Sequence, residues 1–309
     1  MKLSGTILFF ILTFANYELF SQETKVNTTT LAYLEKFRAD YTKTILDKNL
    51  RALEIYFSDN ARLMPPYHKT VMGKNNVLIY YNAFLNHYDV KLYNRVETET
   101  LDLGSMIVAH GEFVMKLKEK TAIAEYELKG KYVDIWEKLP NGKLVLLTEG
   151  WNFDHNSEIE QKLRFNNEVP VADIAYQAHV PINNNISFEL AALNSLMEAT
   201  ITRHDAKVWS QFYADDAIIL TQRQPMVKGR EEIDKYCEKH VKELPIFEKL
   251  DIRNDRIDDL GKYVIEYASH IAIIRDGDFS GVFAGKDLAI WRREPNGSLK
   301  IFRHIGMYD

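Results

Sequence analysis

The chain has one cysteine, Cys237, among 309 residues. It cannot form an intrachain disulfide, and a zinc site built on several thiolates is excluded. Neither sign of charge dominates: 39 Lys and Arg stand against 44 Asp and Glu, a net −5, so there is no electrostatic footprint for nucleic acid. Glycine (14) and proline (8) are too few for a collagen-like chain. The repeated apolar runs of a polytopic membrane protein are missing. No glycine-rich phosphate loop follows a strand, and neither His-Glu-x-x-His nor Gly-x-Ser-x-Gly occurs. The nine histidines are scattered without a His-x-His pair, so no metal is expected. What remains is an ordinary globular composition, 46% apolar and 27% charged, long enough for two domains.

The first segment reads as an address. Lys2 precedes an apolar stretch from Leu3 to Ala15, broken by Ser4, Gly5, Thr6 and Thr13, and then a polar stretch with Asn16, Glu18, Ser21 and Gln22. This is the shape of a secretory signal peptide over residues 1–22, cleaved near Ser21 to Glu23. An uncleaved anchor would need ~20 apolar residues. No cysteine lies near the cleavage region, which excludes a lipoprotein. The mature protein is expected to be exported, to periplasm or medium, and to fold on its core alone. Asn27-Thr28-Thr29 matches a glycosylation triplet in what reads as a flexible mature N-terminus.

The chain then repeats itself. Residues 130–144, GKYVDIWEKLPNGKL, and 285–299, GKDLAIWRREPNGSL, share eight of fifteen positions at an offset of 155. Ala61 in Phe57-Ser58-Asp59-Asn60-Ala61-Arg62-Leu63 falls on Ala217 in a like segment from Phe212, and Gly73 falls on Gly229, both at an offset of 156. Leu103-Gly104 and Leu260-Gly261 give 157. So long and steady a period means a duplicated domain rather than a solenoid. The expected organisation is domain 1 over 23–155, a linker over 156–185 and domain 2 over 186–309.

Each unit begins with helices and ends with strands. Leu31, Leu34, Phe37, Tyr41 and Ile45 recur at helical spacing after Thr28-Thr29-Thr30. Leu50 to Phe57 reads as a short second helix stopped by Ser58-Asp59-Asn60, and Gly73 precedes a third. Strand-like runs follow at 90–103, 106–117, 122–139 and 144–153. Pro140-Asn141-Gly142 and Pro295-Asn296-Gly297 are hairpin turns. Helices followed by an antiparallel meander give an α+β fold, with the helices covering one face of a curved, mostly antiparallel sheet.

Taken together, the Asp-Asn-Ala-Arg-Leu segment, Gly73 opening a helix, and Gly-Lys-Tyr-Val-Asp-Ile-Trp before Pro-Asn-Gly resemble the SnoaL-like branch of the nuclear transport factor 2-like superfamily. That superfamily includes ketosteroid isomerases. The resemblance covers about 31–154 and 187–309. It implies two cone-shaped cups, each with a pocket between helices and concave sheet, and pairing of the copies as a pseudo-dimer within one chain. By the same resemblance the oxyanion-hole tyrosine falls on Tyr41, the oxyanion-hole aspartate on Asp134 and the last-strand aromatic on Trp151. The general-base position falls on Pro65, which cannot move a proton. In the second copy these positions hold Met197, Ala289 and Thr221, and His304 and Gly306 replace Glu149 and Trp151.

Polar residues on apolar strand faces carry the rest. Val145, Leu147, Glu149, Trp151 and Phe153 alternate onto one face, so Glu149 is a buried acid–base group, sits at a rim, or is paired with a basic residue such as Arg62. Tyr132, Asp134 and Trp136 share a face, with Asp134 placed to meet a ligand oxygen or to face solvent. His110 and Glu112 share another face and could form a dyad. His304 is read as in phase with Phe302 and Tyr308, and Asp287, in phase with Trp291, could pair across the hairpin.

Two functions stay open. One is a non-catalytic module binding a small apolar or carbonyl-containing molecule, with Trp136, Trp151 and His304 among its contacts. The other is a cofactor-independent lyase, isomerase or hydrolase, with Tyr41 and Asp134 holding an oxyanion and Glu149 or His110 shuttling the proton. In both, only the first cup keeps ionisable groups pointing into its hollow. The expected partner is a small molecule, with no nucleic acid, no membrane after signal cleavage, no metal and no cofactor.

Overall fold

The structure, a computed structural model, describes residues 25–165, 167–177 and 179–309. The proposed signal peptide lies outside them. Asn27 is the N-cap of α1 (Thr28–Asp47), its side chain accepting from the Thr30 N–H at 2.8 Å, so the glycosylation triplet opens a helix rather than a free tail. After α2 (Arg51–Glu54) the chain enters β1 (Phe57–Met64), runs through β2 (Val71–Met72) and turns into α3 (Lys74–His87). Gly73 caps α3 at φ +88°, a conformation that costs a glycine little. Four long strands follow: β3 (Tyr88–Asp102), β4 (Met106–Glu119), β5 (Glu125–Lys138) and β6 (Leu144–Phe153).

After two short 3₁₀ turns the order repeats: α4 (Asn185–Thr202), α5 (Ala206–Ser210), β7 (Tyr213–Leu220), β8 (Val227–Lys228), α6 (Gly229–Glu243), β9 (Ile246–Asp259), β10 (Tyr263–Asp276), β11 (Phe279–Arg293) and β12 (Leu299–Tyr308). The two sheets have the same order, β2-β1-β6-β5-β4-β3 and β8-β7-β12-β11-β10-β9. Only β1–β6 and β7–β12 are parallel. The fold is thus α+β in two like units, each with helices over a curved, mostly antiparallel sheet.

Three expectations are corrected by strand irregularities. Ser58-Asp59-Asn60 does not stop a helix; it lies inside β1, where a register shift between Phe57 and Arg62 leaves these residues unpaired with β6. A second shift, between Leu146 and Thr148 of β6, moves Leu147 to the opposite face from Glu149, Trp151 and Phe153. The matching shift in β12 separates Phe302 from His304: Ile301 faces the unit's own interior and Phe302 the other unit.

The sheets meet back to back. Val108, Val133, Ile135 and Leu147 pack against Ile265, Tyr267, Leu288 and Ile305 in one apolar layer. Reciprocal polar contacts surround it, the signature of a twofold-related pair. The Tyr67 N–H donates to the Tyr308 carbonyl at 2.8 Å, and the Arg223 N–H to the Phe153 carbonyl at 2.8 Å. Buried Lys286 donates to the His68 carbonyl at 2.6 Å, and buried Lys131 to the Gln224 carbonyl. Glu99 of unit one binds Arg303 of unit two at 2.6 and 2.8 Å, while Asp255 of unit two binds Arg62 of unit one. The first copy is therefore the binding partner of the second.

Candidate functional site

In unit one, Tyr41 from α1, Asp134 from β5 and Glu149 from β6 do converge, but on an arginine. Arg95 of β3 donates Nη2 to both Asp134 oxygens, at 2.9 and 2.8 Å, and Nη1 to Glu149 Oε1 at 3.1 Å. Tyr41 donates to Glu149 Oε1 at 2.9 Å and Tyr81 to Oε2 at 2.7 Å. The guanidinium stacks 3.7 Å from the Tyr132 ring centre. Glu149 is thus paired with Arg95, not with Arg62. Burial raises the Asp134 carboxyl against the pull of Arg95, with Glu149 adding to the rise, to about 7. Burial also keeps the Tyr41 and Tyr81 hydroxyls protonated. Beside this cluster the open space, lined by Trp151, Phe113 and Met115 among others, is about 20 Å³, room for one water.

The other residues singled out in unit one lie elsewhere. Trp136 is packed in the core against Phe37, ring centres 4.6 Å apart. His110 is fully buried on the face toward unit two, with Nε2 2.9 Å from Glu99 Oε2. Its dyad is with Glu99 across the strands, and Glu112, one alternation along its own strand, is exposed.

Unit two is different: its hollow is an open chamber of about 790 Å³. The reason is visible position by position. Phe113 opposes Gly130 in unit one, and His270 opposes Gly285 in unit two. Tyr132 opposes Trp151, and Asp287 opposes Gly306. Met115 opposes Leu128, and Ala272 opposes Phe283. Arg95 pairs with Phe113, and its counterpart Ile252 pairs with His270. Rings, a methionine and the guanidinium that fill the first cup are thus replaced by an imidazole, a carboxylate, a glycine, an alanine and an isoleucine.

Ionisable groups reach into this second chamber, contrary to the expectation that only the first copy kept them. Asp287 of β11 accepts from His270 Nδ1 at 2.7 Å on Oδ2, and its Oδ1 lies 3.1 Å from His304 Nε2. His304 Nδ1 lies 3.1 Å from the Tyr213 hydroxyl. The Asp287 side chain is 23% exposed, to the chamber it lines. Burial would raise its pKa, but His270 and His304, by charge and hydrogen bond, hold it well below the usual carboxylate range. His270 is shifted the opposite way: burial lowers it, and Asp287 more than reverses this. Glu266 of β10 accepts from Asn194 at 2.8 Å and from Trp291 Nε1 at 2.6 Å, and burial raises its pKa despite both bonds. Trp291 therefore pairs with Glu266 rather than with Asp287.

Most of the remaining lining is apolar or aromatic, including Met197, Trp209, Tyr236 and Phe247. Unit one supplies Tyr67 and Lys69 to the same wall, and the linker supplies Arg164 and Tyr176. Among the described residues no group of His, Cys, Asp and Glu is arranged to hold a metal, and no helix is long and apolar enough to cross a membrane. Reading for known motif positions missed Arg95, Tyr81, His270 and Glu266. The alternation Ala268, His270, Ala272 carried the signal: small residues flanking an ionisable one on a concave strand.

The fold and the chamber define a two-unit α+β protein with one filled and one open cup. No family model matches the chain, and no curated protein matches it. Among solved structures it is similar to a conserved protein from Planctomyces limnophilus, at 13% identity and a TM-score of 0.37 over 40% of this chain and 95% of that one. A ketosteroid isomerase-like protein from Erwinia carotovora atroseptica gives 15%, 0.35, 41% and 98%. A nuclear transport factor 2-like superfamily protein from Salmonella enterica serovar Typhimurium gives 12%, 0.37, 43% and 97%. The last two are named for the superfamily that the sequence resembles.

Proposed function

We propose that this chain binds a small, mostly apolar molecule in the unit-two chamber and that unit one is the scaffold against which that chamber is built. One observation carries the reading: on matching strand registers, the space in one cup is about 20 Å³, while the chamber that opens from the other, walled in part by unit one and the linker, is about 790 Å³. The larger volume falls in the range of small-molecule sites. An apolar lining with a few convergent polar groups suits a molecule with one or two oxygen functions on a hydrocarbon or aromatic body. Tyr41, Asp134 and Glu149 have no space beside them for such a molecule, so the function is placed in unit two. Export is part of the proposal and rests on the N-terminal segment alone.

The test is mass spectrometry of small molecules retained by the purified mature protein, first under native conditions and then after denaturation. A retained apolar compound at near one per chain, released from Ala272→Met protein, is the expected result. A chain that retains nothing and shows no saturable uptake of the apolar dye 8-anilinonaphthalene-1-sulfonate would end this reading.

A further inference from the structure

We propose that the chamber's ligand is an amphipathic monoanion. Its apolar body lies in the unit-two cup, and its head, an oxyanion such as a carboxylate, lies on the wall where the two copies and the linker meet. This rests on the chamber being a binding compartment and names what the compartment takes. The head site is outside the cup proper, on a surface that only the pairing of the copies creates.

Three donors converge there, around Tyr308 and Asp309. Gln222, more than nine-tenths buried, accepts from the Tyr308 N–H at 2.8 Å on Oε1. That bond fixes which end of the amide is oxygen, so Nε2 is the donor, and it has no acceptor among the described residues. Arg223, next in the chain, lies 5.6 Å from the ring centres of both Tyr67 and Tyr308. Its Nε donates to the Tyr67 hydroxyl at 3.0 Å and its Nη2 to Glu160 at 2.7 Å, which leaves Nη1 without a partner among the described residues. Exposed Arg164 makes one hydrogen bond among them, from Nη2 to the main-chain oxygen of Asp309 at 3.2 Å. Gln222, Arg223 and Arg164 all line the chamber. Unit one has no such group: at the matching turn it carries Pro66 and Tyr67, with Tyr67 and Arg223 at the same left-handed position, φ +58° and +66°.

The acceptors at this wall are already spent. Glu160 holds Arg223, Asp173 holds Lys69, and the Asp309 side chain holds Lys286. Inside the cup, Glu266 is satisfied by Asn194 and Trp291, and Asp287 by His270 and His304. Spare N–H groups beside carboxylates that are each engaged call for a ligand that brings acceptors and negative charge. A guanidinium is the donor that matches a planar oxyanion, and a charge-assisted bond of this kind is stronger than a neutral one. Phe247, Leu250, Ile274 and Phe283 line another stretch of the chamber. Their side chains offer no hydrogen bond, so that stretch receives the hydrocarbon or aromatic body.

The probes are two dyes with the same ring body, 8-anilinonaphthalene-1-sulfonate and the uncharged N-phenyl-1-naphthylamine, each titrated against the mature protein. Arg164→Met and Gln222→Met should each weaken the sulfonate about tenfold and leave the uncharged dye within about twofold. Ala272→Met should weaken both, because both bodies share the cup. Loss of both dyes alike in Arg164→Met and Gln222→Met, or loss of neither, overturns the head site. Sulfonate binding that Ala272→Met leaves unchanged is ion pairing at the surface, and overturns it too. Arg164 is exposed, so its variant leaves the core intact even if Gln222→Met fails to fold. A second measurement needs no variant: decanoate should displace the uncharged dye from the wild type at about tenfold lower concentration than 1-decanol. Equal displacement defeats the assignment. Protein that takes up neither dye and retains no compound defeats the binding reading itself, whereas uptake of the uncharged dye without preference for the anion defeats this proposal alone.

Discussion

Replacing Arg95 with methionine should destabilise the protein by about 3–5 kcal/mol near neutral pH, the cost of breaking a buried ion pair from one side. The geometry sets that size. Among the described residues, Arg95 is the only cation bonded to Asp134 and Glu149, and both of these side chains are almost inaccessible. Methionine has a similar length, so packing against Tyr132 and Tyr41 is largely kept and the loss is mainly electrostatic. In thermal unfolding this amounts to a fall in Tm of about 10 °C. The pH dependence has a definite sign. Asp134 is already raised in the folded state, to about 7, by burial against the pull of Arg95, and without that cation it rises further. A group raised on folding stabilises below its unfolded pKa of ~4 and loses that contribution as pH climbs through the folded value. The variant's deficit is therefore smallest near pH 4 and grows toward pH 8. Urea unfolding of wild type, Arg95→Met, Asp134→Asn/Glu149→Gln and the triple variant completes the cycle. Recovery in the triple variant is expected, since its carboxylates are neutral. An equal loss in both backgrounds, or a deficit constant from pH 4 to 8, would refute the electrostatic reasoning.

Two further predictions test the interface and the chamber. Glu99→Gln removes the carboxylate shared by Arg303 and His110 across the units, and Arg303 is left buried, so stability at pH 7 should fall by about 1–3 kcal/mol. Burial would raise Glu99, but His110 and Arg303 hold it at about 2; its contribution is present above the unfolded value of ~4 and lost as pH falls through about 2, so denaturation curves of wild type and variant should converge there, and parallel curves would remove the assigned role. Ala272→Met copies Met115 of the filled cup and should weaken dye uptake about tenfold while leaving the unfolding midpoint within about 0.5 kcal/mol or raising it; unchanged uptake would mean that the dye lies outside the chamber.

Much of the architecture was legible in the residues because it rests on local periodicity and on identity between copies. The helical spacing from Leu34 to Ile45 and the paired Pro-Asn-Gly hairpins mark their elements without tertiary help. Bulges were not legible. Shifts inside β6 and β12 reversed the faces of Leu147 and Phe302, and a bulge has no residue signature that an alternation count can detect. β1 was hidden for a related reason: Ser58-Asp59-Asn60 has turn chemistry, yet the strand carries it as an unpaired excursion. The convergence of Tyr41, Asp134 and Glu149 followed from strand phase and resemblance. Arg95 did not, because it sits on the outermost strand of its sheet, where an arginine reads as a solvated residue. The open chamber was missed because unit two was scored for residues it lacked at motif positions. Comparing the copies for side-chain volume, Phe113 with His270 and Trp151 with Gly306, shows the space directly.

The two cups also argue about selection on the chamber itself. Both are built on the same strand order and matching registers, and unit one shows that such a backbone can be filled almost completely, with tyrosines, a tryptophan and a neutralised arginine. Filling a void is among the easiest routes to added stability. An unfilled 790 Å³ forgoes the dispersion contacts that unit one makes, and the protein holds it open beside a back-to-back interface of reciprocal hydrogen bonds and ion pairs. Burying Asp287 and Glu266 at its wall adds a desolvation cost that leucines would avoid. A copy drifting without function would be expected to close the void or to lose the carboxylates that His270, His304, Asn194 and Trp291 satisfy. Keeping space and satisfied charge together is what the proposed binding site requires, and in this chain the two coincide in unit two.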